Sequence, residues 1–168
     1  MNRDKLFFFV QPILRNVPYK SGRLLRNKIY RFFFKKAGKN INLMGGIVFK
    51  YPSEIEFGDN VTINEDCYIV GKGGLVFGDN IMMGAGCKIV TTTHNSFTTD
   101  KPMREQGLSF EKITIGNDVW FGFNVVVLKG CNIGNGVILA AGCILATKIV
   151  ENYTVWGGVP AKKISTRS

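Results

Sequence analysis

The sequence contains a single histidine, His94, among its 168 residues. A zinc site built from three histidines is therefore excluded, because no second imidazole exists to complete it. The four cysteines contain no C-x-x-C spacing, so the usual cysteine motifs for metal binding or redox exchange are missing too. We expect a protein that needs no metal.

Long apolar runs are scarce as well. The run from Leu6 to Leu14 spans nine residues, includes Gln11 and Pro12, and falls far short of the roughly 20 residues that cross a bilayer. It lacks the small-residue cleavage site of a secretory signal. The sequence thus predicts neither a membrane span nor an exported protein, and we expect a cytoplasmic location.

Acidic residues are nearly missing from the first 40 positions. Residues 1–40 hold eleven Lys and Arg against one acid, Asp4, whereas residues 41–168 hold eleven basic and eleven acidic residues. The net charge of +10 therefore belongs entirely to the N-terminal arm. A nucleic-acid footprint across the body of the protein is not expected.

The basic arm, residues 1–40, is predicted to be partly helical, with one helix from an N-cap at Ser21 to a stop at Gly38. Its apolar face would hold Leu25, Ile29, Phe32 and Phe33, and its polar face Arg23, Arg26, Lys28, Arg31 and Lys35. Two roles stay open, and both can hold at once. Residues 1–38 can lie on an anionic membrane surface, or the apolar face can cap the end of the domain that follows.

A six-residue period dominates the second half of the chain. The apolar residues six apart are Ile115, Phe121, Val127, Ile133, Leu139 and Leu145, and a second phase holds Val119, Val125, Cys131, Val137, Cys143 and Ile149. Six fits neither an α-helix nor a simple alternating strand. It indicates a solenoid in which three hexads form one coil and stacked coils share a core.

The cysteines follow the same period. All four stand four residues after an inward apolar residue: Cys67, Cys87, Cys131 and Cys143. That slot suits a small apolar side chain, so we expect buried, reduced thiols.

Earlier coils are less regular. Leu43 and Phe49 begin a ragged first coil, and the spacing widens to eight from Phe49 to Phe57 and from Ile69 to Phe77. The solenoid is expected over residues 41–164, with an exposed loop at 95–112, a decaying repeat that puts Glu151 in an inward slot, and a tail at 165–168. Loops of this length are usually functional.

Four segments carry a family resemblance. I-T-I-G-N-D-V-W-F-G at 113–122 and K-G-C-N-I-G-N-G-V-I at 129–138, with Gly158-Val159-Pro160-Ala161 near the end, resemble the hexapeptide-repeat acyltransferases. T-T-T-H before the long loop looks most like the sugar and polysaccharide O-acetyltransferases of the maltose and galactoside type. The resemblance implies a left-handed parallel β-helix, acetyl-CoA as co-substrate, and a homotrimer with its sites in the clefts between subunits.

The resemblance also implies site residues. His94 matches the general base, and Asn64 matches a polar residue near the acceptor hydroxyl and the transferring acyl group, although a turn role for it stays open. The stretch implied for CoA is Trp120, Gly122, Ala140, Ala141, Gly142, Ala146, Thr147, Lys148, Lys162 and Lys163. Trp120 can instead belong to a subunit interface. Lys72 and Gln106 occupy positions near the acceptor.

The function expected from these residues is transfer of an acetyl group from acetyl-CoA to a hydroxyl of a sugar or cell-surface glycan precursor. Lys72 stands where galactoside-type enzymes have an acidic sugar contact, so a free galactoside is not expected. The alternatives are an N-acetyltransferase of an amino-sugar nucleotide and a non-catalytic scaffold. Zinc-dependent hydration, as in γ-class carbonic anhydrases, is excluded by the single histidine.

Overall fold

The computed structural model describes residues 2–167 as a three-faced parallel β-helix that carries two α-helices at its N-terminal end. The helices are α1 (Arg3–Arg15) and α2 (Tyr19–Tyr30). The strands, in chain order, are β1 (Lys36–Ala37), β2 (Asn42–Leu43), β3 (Val48–Lys50), β4 (Ile55–Phe57), β5 (Val61–Ile63), β6 (Tyr68–Val70), β7 (Leu75–Phe77), β8 (Ile81–Met83), β9 (Lys88–Val90), β10 (Thr92–His94), β11 (Leu108–Phe110), β12 (Ile113–Ile115), β13 (Trp120–Phe121), β14 (Val126–Val127), β15 (Asn132–Ile133), β16 (Ile138–Leu139), β17 (Ile144–Leu145), β18 (Ile149–Val150), β19 (Thr154–Gly157) and β20 (Lys162–Thr166). The predicted all-β solenoid is confirmed.

Three parallel sheets form the faces of the prism. Face A stacks β1, β4, β7, β12, β15 and β18; face B stacks β2, β5, β8, β13, β16 and β19, with β20 added antiparallel; face C stacks β3, β6, β9, β14 and β17. The chain passes from A to B to C in every coil. Each strand pairs with strands of neighbouring coils, so every side of the prism is a continuous ladder.

The core is the column of inward residues that the six-residue period predicts. All six residues of the first phase, from Ile115 to Leu145, are almost completely buried. The second phase is confirmed up to Cys143 but wrong at Ile149, which is 72% exposed. The last coil is one residue shorter, because Asn132 pairs with Ile149 and Ile133 with Val150. Val150 therefore fills the inward slot, and Glu151 lies outside.

The corner between faces A and B, called here the ladder corner (58–60, 78–80, 116–118 and 134–136), is held by side chains that bridge successive coils. The side-chain oxygen of Asp79 accepts a hydrogen bond from the backbone N–H of Asp59 at 2.7 Å. In the same way, the Asn117 side-chain oxygen accepts from the Asp79 N–H at 2.8 Å, and the Asn135 side-chain oxygen accepts from the Asn117 N–H at 2.7 Å. Asn60, Asn80 and Asp118 have positive φ angles, which Asn and Asp tolerate in turns such as Gly-Asp-Asn and Gly-Asn-Asp.

The N-terminal arm closes the open end of the solenoid. Phe7, Tyr30, Phe33 and Phe34 are buried in the same core as the first coils. The Phe34 ring packs edge-on against Phe49, with centroids 5.1 Å apart. An uncapped prism would leave these apolar rings in water, so the capping role, one of the two left open by the sequence, is a feature of the fold.

Side chains also complete the exposed strand edges at that end. The Gln11 carboxamide accepts from the Phe49 N–H at 2.6 Å and donates to the Phe49 carbonyl at 3.2 Å, as a neighbouring strand would. Asn27 accepts from the Leu43 N–H at 2.8 Å, and Arg26 donates to the Leu43 carbonyl. The cap thus satisfies backbone groups that would otherwise be unpaired.

The helix prediction for the arm needs correction. The second helix spans Tyr19–Tyr30 with Pro18 at its N-cap, not Ser21–Gly38. It ends early because Phe33 and Phe34 turn into the core and β1 follows at once. Arg26 was placed on the polar face but is only 3% exposed, because it donates to carbonyls around the end of α1.

The cysteine prediction is confirmed. All four cysteines are buried and free. Burial raises the pKa of Cys131 and of Cys143 to about 11, so both thiols stay protonated at neutral pH. They act as small apolar side chains of the core.

Candidate active site

His94 lies on a β-hairpin that projects from the corner between faces C and A. Strand β10 pairs antiparallel with β11, so that His94 stands opposite Leu108. The Asn95 N–H donates to the Gly107 carbonyl at 3.0 Å and closes the first pair beyond the strands. The imidazole is exposed at the end of β10, where another molecule can reach it. The predicted excursion from the solenoid therefore exists, with an ordered stalk.

The stalk is anchored by Thr91, the first residue of the T-T-T-H segment, to which the sequence analysis assigned no role of its own. Thr91 is fully buried; its hydroxyl accepts from the Gly73 N–H at 2.8 Å and donates to the Val70 carbonyl at 2.9 Å. A methyl group on Gly73 would meet the Thr91 carbonyl at 2.7 Å, so this contact requires glycine there. The sequence signals for Thr91 are its membership of T-T-T-H and its place between the last hexad and the loop.

Lys72, predicted near the acceptor, lies at the base of the hairpin. Its ammonium group stands 5.1 Å from the ring centre of Tyr51 and 4.8 Å from that of Phe110 on β11. Cation–π contacts at these distances hold the lysine between the first coils and the stalk. The structure thus gives Lys72 contacts that orient the hairpin.

Gln106, the other predicted acceptor contact, organises the loop beyond the stalk. Its carboxamide accepts from the Thr98 N–H at 3.2 Å and donates to the carbonyls of Thr98 and Lys101 at 2.8 and 3.0 Å. The whole side-chain amide is thereby used within the loop. Gln106 positions the segment that follows His94.

A charge cluster forms where the hairpin returns to the prism. The Glu111 carboxylate pairs with Lys129 at 2.5 Å and also with Lys148. These ammonium groups lower the pKa of Glu111 to about 2. Lys148, predicted to meet CoA phosphates, therefore shares an anion with Lys129, and the trio keeps one net positive charge. Sequence alone gave no sign of Glu111, because the lysines lie one and two coils away.

Ala146 and Thr147 lie at this same corner, called here the hairpin corner (51–54, 71–74, 91–112, 128–130 and 146–148). Ala146 is exposed and Thr147 is half-buried. The corner thus brings together part of the predicted set: Lys72, His94, Gln106, Ala146, Thr147 and Lys148.

A second part of the predicted set lies on the corner between faces B and C, called here the small-residue corner (64–66, 84–86, 122–124 and 140–142). Asn64 is half-buried, and its N–H donates to the Met83 carbonyl at 3.1 Å. Ala141 and Gly142 are exposed, and a methyl group on Gly142 would meet nothing within 4 Å. This part of the corner is open to an approaching chain.

Gly122 and Ala140 on the same corner face the next coil. Gly122 is buried, and a methyl group there would lie 2.6 Å from the Ala141 nitrogen. Its predicted place beside CoA therefore competes with a packing requirement within the chain. Ala140 is half-buried, with its Cβ near Gly157 of the following coil.

Trp120 stands in an outward stripe on face B. It is 49% exposed and pairs laterally with Met82 and Ile138, with Val155 next along the ladder. Exposed apolar stripes of this kind are typical of surfaces that contact another molecule.

Lys162 and Lys163 lie on β20 at the C-terminal end of face B. Lys163 pairs with Glu151 at 2.6 Å, whereas Lys162 makes no ion pair within residues 2–167. Of these two lysines, Lys162 is therefore the one whose ammonium group is free to meet a ligand.

Within one chain, the predicted site residues do not form a single constellation. His94 belongs to the hairpin corner and Asn64 to the small-residue corner, with all of face C between them. Six residues of extended chain span about 20 Å, far more than an acyl transfer step tolerates. A site that uses both residues therefore needs two prisms side by side.

Among residues 2–167, no group of three or more His, Cys, Asp or Glu side chains is placed to hold a metal ion. Neither helix of the arm has the length and apolar character needed to pass through a bilayer.

Comparison with known proteins gives three results. The profile of the bacterial transferase hexapeptide family, which has six repeats, matches residues 112–147. The chain is 31% identical over 170 residues to the protein named "Putative lipopolysaccharide biosynthesis O-acetyl transferase WbbJ" of Escherichia coli strain K12, covering 90% of this chain and 83% of that one. It is 34% identical over 142 residues to "Putative acetyltransferase SAR2635" of Staphylococcus aureus strain MRSA252, covering 83% and 68%.

Solved structures agree with these relatives. A galactoside acetyltransferase in complex with coenzyme A superposes with a TM-score of 0.88 at 27% identity, over 99% of this chain and 81% of that one. A maltose O-acetyltransferase from Clostridium difficile 630 gives a TM-score of 0.85 at 27% identity, over 99% and 87%. The likeness covers the helical cap as well as the prism.

Proposed function

Because this chain belongs to the family of hexapeptide-repeat acetyltransferases, we propose that it moves an acetyl group from acetyl-CoA to a sugar hydroxyl in clefts between the subunits of a homotrimer. The observation that carries the proposal is the distribution of site residues over two corners. One chain offers an exposed imidazole at the hairpin corner and an open, small-residue groove at the other. Neighbouring prisms would bring the two together.

In the proposed reaction, His94 is the general base. The acceptor oxygen attacks the thioester carbonyl carbon while the imidazole takes the hydroxyl proton. The carbon–sulfur bond then breaks, and the CoA sulfur leaves with that proton returned from the imidazolium. General-base catalysis of this kind contributes about 10² to 10⁴ in rate.

Asn64 of the neighbouring prism would hold the acceptor hydroxyl and the transferring acyl group. Its half-buried position beside the Met83 strand end gives the amide a fixed origin. A carboxamide supplies both a donor and an acceptor, which suits the oxygen that loses its proton and the carbonyl that gains charge.

Acetyl-CoA would thread along the small-residue corner, where Ala141 and Gly142 leave room for its pantetheine arm. Lys162 and the positive Lys129–Glu111–Lys148 cluster are the cations available for its phosphates. Trp120 and the stripe around it would face a neighbouring subunit. No residue of this proposal requires a metal.

The acceptor class proposed is a sugar of a cell-surface glycan or of its precursor. The named role of the Escherichia coli relative in lipopolysaccharide biosynthesis supports this choice. Lys72 also supports it, because a cation held by two aromatic rings beside the hairpin suits a negatively charged glycan better than a neutral galactoside. Incubation with labelled acetyl-CoA and separate sugar acceptors, amino sugars included, identifies the substrate and separates O- from N-transfer.

Subunit mixing tests the shared site. His94→Ala and Asn64→Ala chains, each inactive alone, are expected to recover activity when they assemble together, because one of the three clefts in each mixed trimer pairs an intact His94 with an intact Asn64. Random assembly of equal amounts predicts about a quarter of wild-type activity. Two inactive variants that stay inactive when mixed would refute a site shared between subunits, and full activity of Asn64→Ala alone would refute the role of Asn64.

A further inference from the structure

Helix α1 carries apolar side chains on two opposite faces. Its inward face packs Phe7 into the core, whereas Phe8, Phe9 and Ile13 on the other side are 71%, 64% and 73% exposed. The rings of Phe8 and Phe9 stand edge to face with centroids 5.7 Å apart. A surface helix normally turns polar residues outward, so this contiguous apolar face marks a contact with something else.

Helix α2 also exposes an apolar side chain, and here lysines flank it. Leu24 is 54% exposed, and Lys20 and Lys28 lie one turn to either side of it on the helix. Phe32, two residues after the end of the helix, is exposed as well. Apolar side chains flanked by lysines form an amphipathic surface of the interfacial type.

The single acid of the arm does not offset this charge at the surface. The Asp4 carboxylate turns toward the prism and accepts from the Ser53 hydroxyl at 2.7 Å and from the Ser53 N–H at 3.1 Å. Several of the arm's cations make no ion pair within residues 2–167: Lys5, Arg15, Lys20, Arg23, Lys28, Lys36 and Lys39. The cap is thus a cationic end on an otherwise neutral prism.

We propose that the outward face of the cap, formed by Phe8, Phe9, Ile13 and Leu24, docks on an anionic lipid bilayer. The apolar side chains enter the boundary between headgroups and acyl chains, and the surrounding lysines meet the lipid phosphates. Charge complementarity selects this occupant. A second copy of the chain would bring two ends of charge +10 together, and the subunits of the trimer proposed above would lie beside the prism.

Docking would hold the prism at the membrane surface, where glycan precursors linked to lipids reside. This step is independent of the proposed chemistry. The membrane contact uses residues 3–32, whereas the acetyl transfer uses the two corners, so either can fail without the other.

Deleting the arm would not test the proposal, because Phe7, Tyr30, Phe33 and Phe34 belong to the core. Substitutions on the outward face of the full chain are sharper. Ile13→Ser has a matched control in Ile164→Ser, which makes the same change at a residue 64% exposed on β20, at the other end of the prism. The triple variant Phe8→Ser, Phe9→Ser, Ile13→Ser removes the whole apolar face of α1.

The measurement is co-sedimentation with vesicles of phosphatidylglycerol and phosphatidylcholine, compared with vesicles of phosphatidylcholine alone. The full chain is expected to bind the anionic vesicles only, and less at high salt. The triple variant is expected to lose at least about tenfold in partitioning, Ile13→Ser part of that, and Ile164→Ser nothing. Unchanged melting temperature and acetyl transfer to a soluble acceptor would show that fold and chemistry are intact.

Three results would overturn the proposal: no binding to anionic vesicles, equal binding to neutral ones, or equal binding of the full chain and the triple variant. Light scattering, which measures the molar mass in solution, tests whether a second copy of the chain occupies this face instead. A mass above that of a trimer that returns to a trimer in the triple variant would assign the face to a second copy of the chain.

Discussion

The ladder corner and the hairpin corner of the same prism differ in whether the number of residues in the turn stays constant from coil to coil. At the ladder corner, successive coils superimpose residue for residue, and each Asp or Asn side chain holds the backbone of the preceding coil. At the hairpin corner the turns differ in length along the prism: Phe49 to Phe57 and Ile69 to Phe77 are each eight residues apart, whereas the hairpin is inserted after Ile89. The two corners share one core and one rise per coil, so the contrast lies in the turns alone.

Register shows how far the difference goes. Ile55 pairs with Leu75, twenty residues on, and Leu75 pairs with Ile113, thirty-eight on. The next coils take eighteen and seventeen residues, from Thr114 to Asn132 and from Asn132 to Ile149. All of this variation falls between faces C and A. A bulge at a corner leaves the inward residues in place and adds only a small loop-closure cost, so one corner can carry chemistry while another holds the stack.

The strongest way to test this contrast is His94→Ala. Removing the proposed base is expected to reduce kcat by about 10² to 10⁴ with an unchanged melting temperature. Thr93→Ala, the exposed neighbour whose side chain leaves the opposite side of β10, is the matched control and is expected to keep nearly full activity. Near-normal turnover of His94→Ala would remove the catalytic role of the hairpin corner.

The small-residue corner should behave as a packing corner at Gly122. Gly122→Val would place a branched side chain against the Ala141 backbone, and overpacking of this kind costs about 1–3 kcal/mol. Gly45→Ala on an earlier turn is the control, because its added methyl group would meet only the Arg15 carbonyl at 3.8 Å. Chemical denaturation measures both. Equal free energies of unfolding for the two variants would contradict the packing assignment.

The ladder corner should lose stability without losing activity. Asn117→Ala removes the oxygen that accepts from the Asp79 N–H, which is expected to cost about 1 kcal/mol. Asn117→Asp keeps the acceptor, as Asp59 and Asp79 do in the natural ladder, and should stay close to wild type. A large fall in kcat for Asn117→Ala would show that the two corners are not separate.

Much of the fold was predictable because inward positions repeat. The period places residues such as Phe121 and Leu139 in the core, and it identifies Cys131 as a small apolar side chain rather than a ligand. The period also locates the long excursion, because the period is interrupted between Ile89 and Ile115. The shortened last coil could not be predicted from the period, because Val150 is buried there in place of Ile149, which the spacing of six had placed inside.

The cap and the site were harder to predict for the same reason. Helix α1 was not predicted because Pro12 lies inside it, and proline disfavours a helix interior. Arg26 has the pattern of a surface cation, and only its carbonyl partners show that it is buried. Contacts such as that of Glu111 with Lys148 join residues from different coils. The six-residue pattern along the chain does not predict which corner residues of different coils come into contact.

The smallest expected effect concerns Glu111, which clamps the end of the hairpin to the coils after it. Lys129 and Lys148 lower the pKa of this carboxyl to about 2 from its ordinary value of 4.5. The contribution of the ionised group to stability is therefore complete above about pH 4.5 and is lost as the pH falls toward 2. The carboxylate is exposed, so salt should screen the effect.

Glu111→Gln is accordingly expected to melt slightly below wild type at neutral pH and low salt, with the gap closing as the pH approaches 2 or as salt rises. Glu105→Gln, on the exposed loop beyond the stalk, controls for loss of a charge and should show no such gap. Acetyl transfer measured on the same samples tells whether the clamp matters to the site. A drop in kcat that appears only for Glu111→Gln would tie the geometry of the hairpin to His94, whereas a melting gap that persists at pH 2 would mean that Glu111 stabilises the corner by packing rather than by charge.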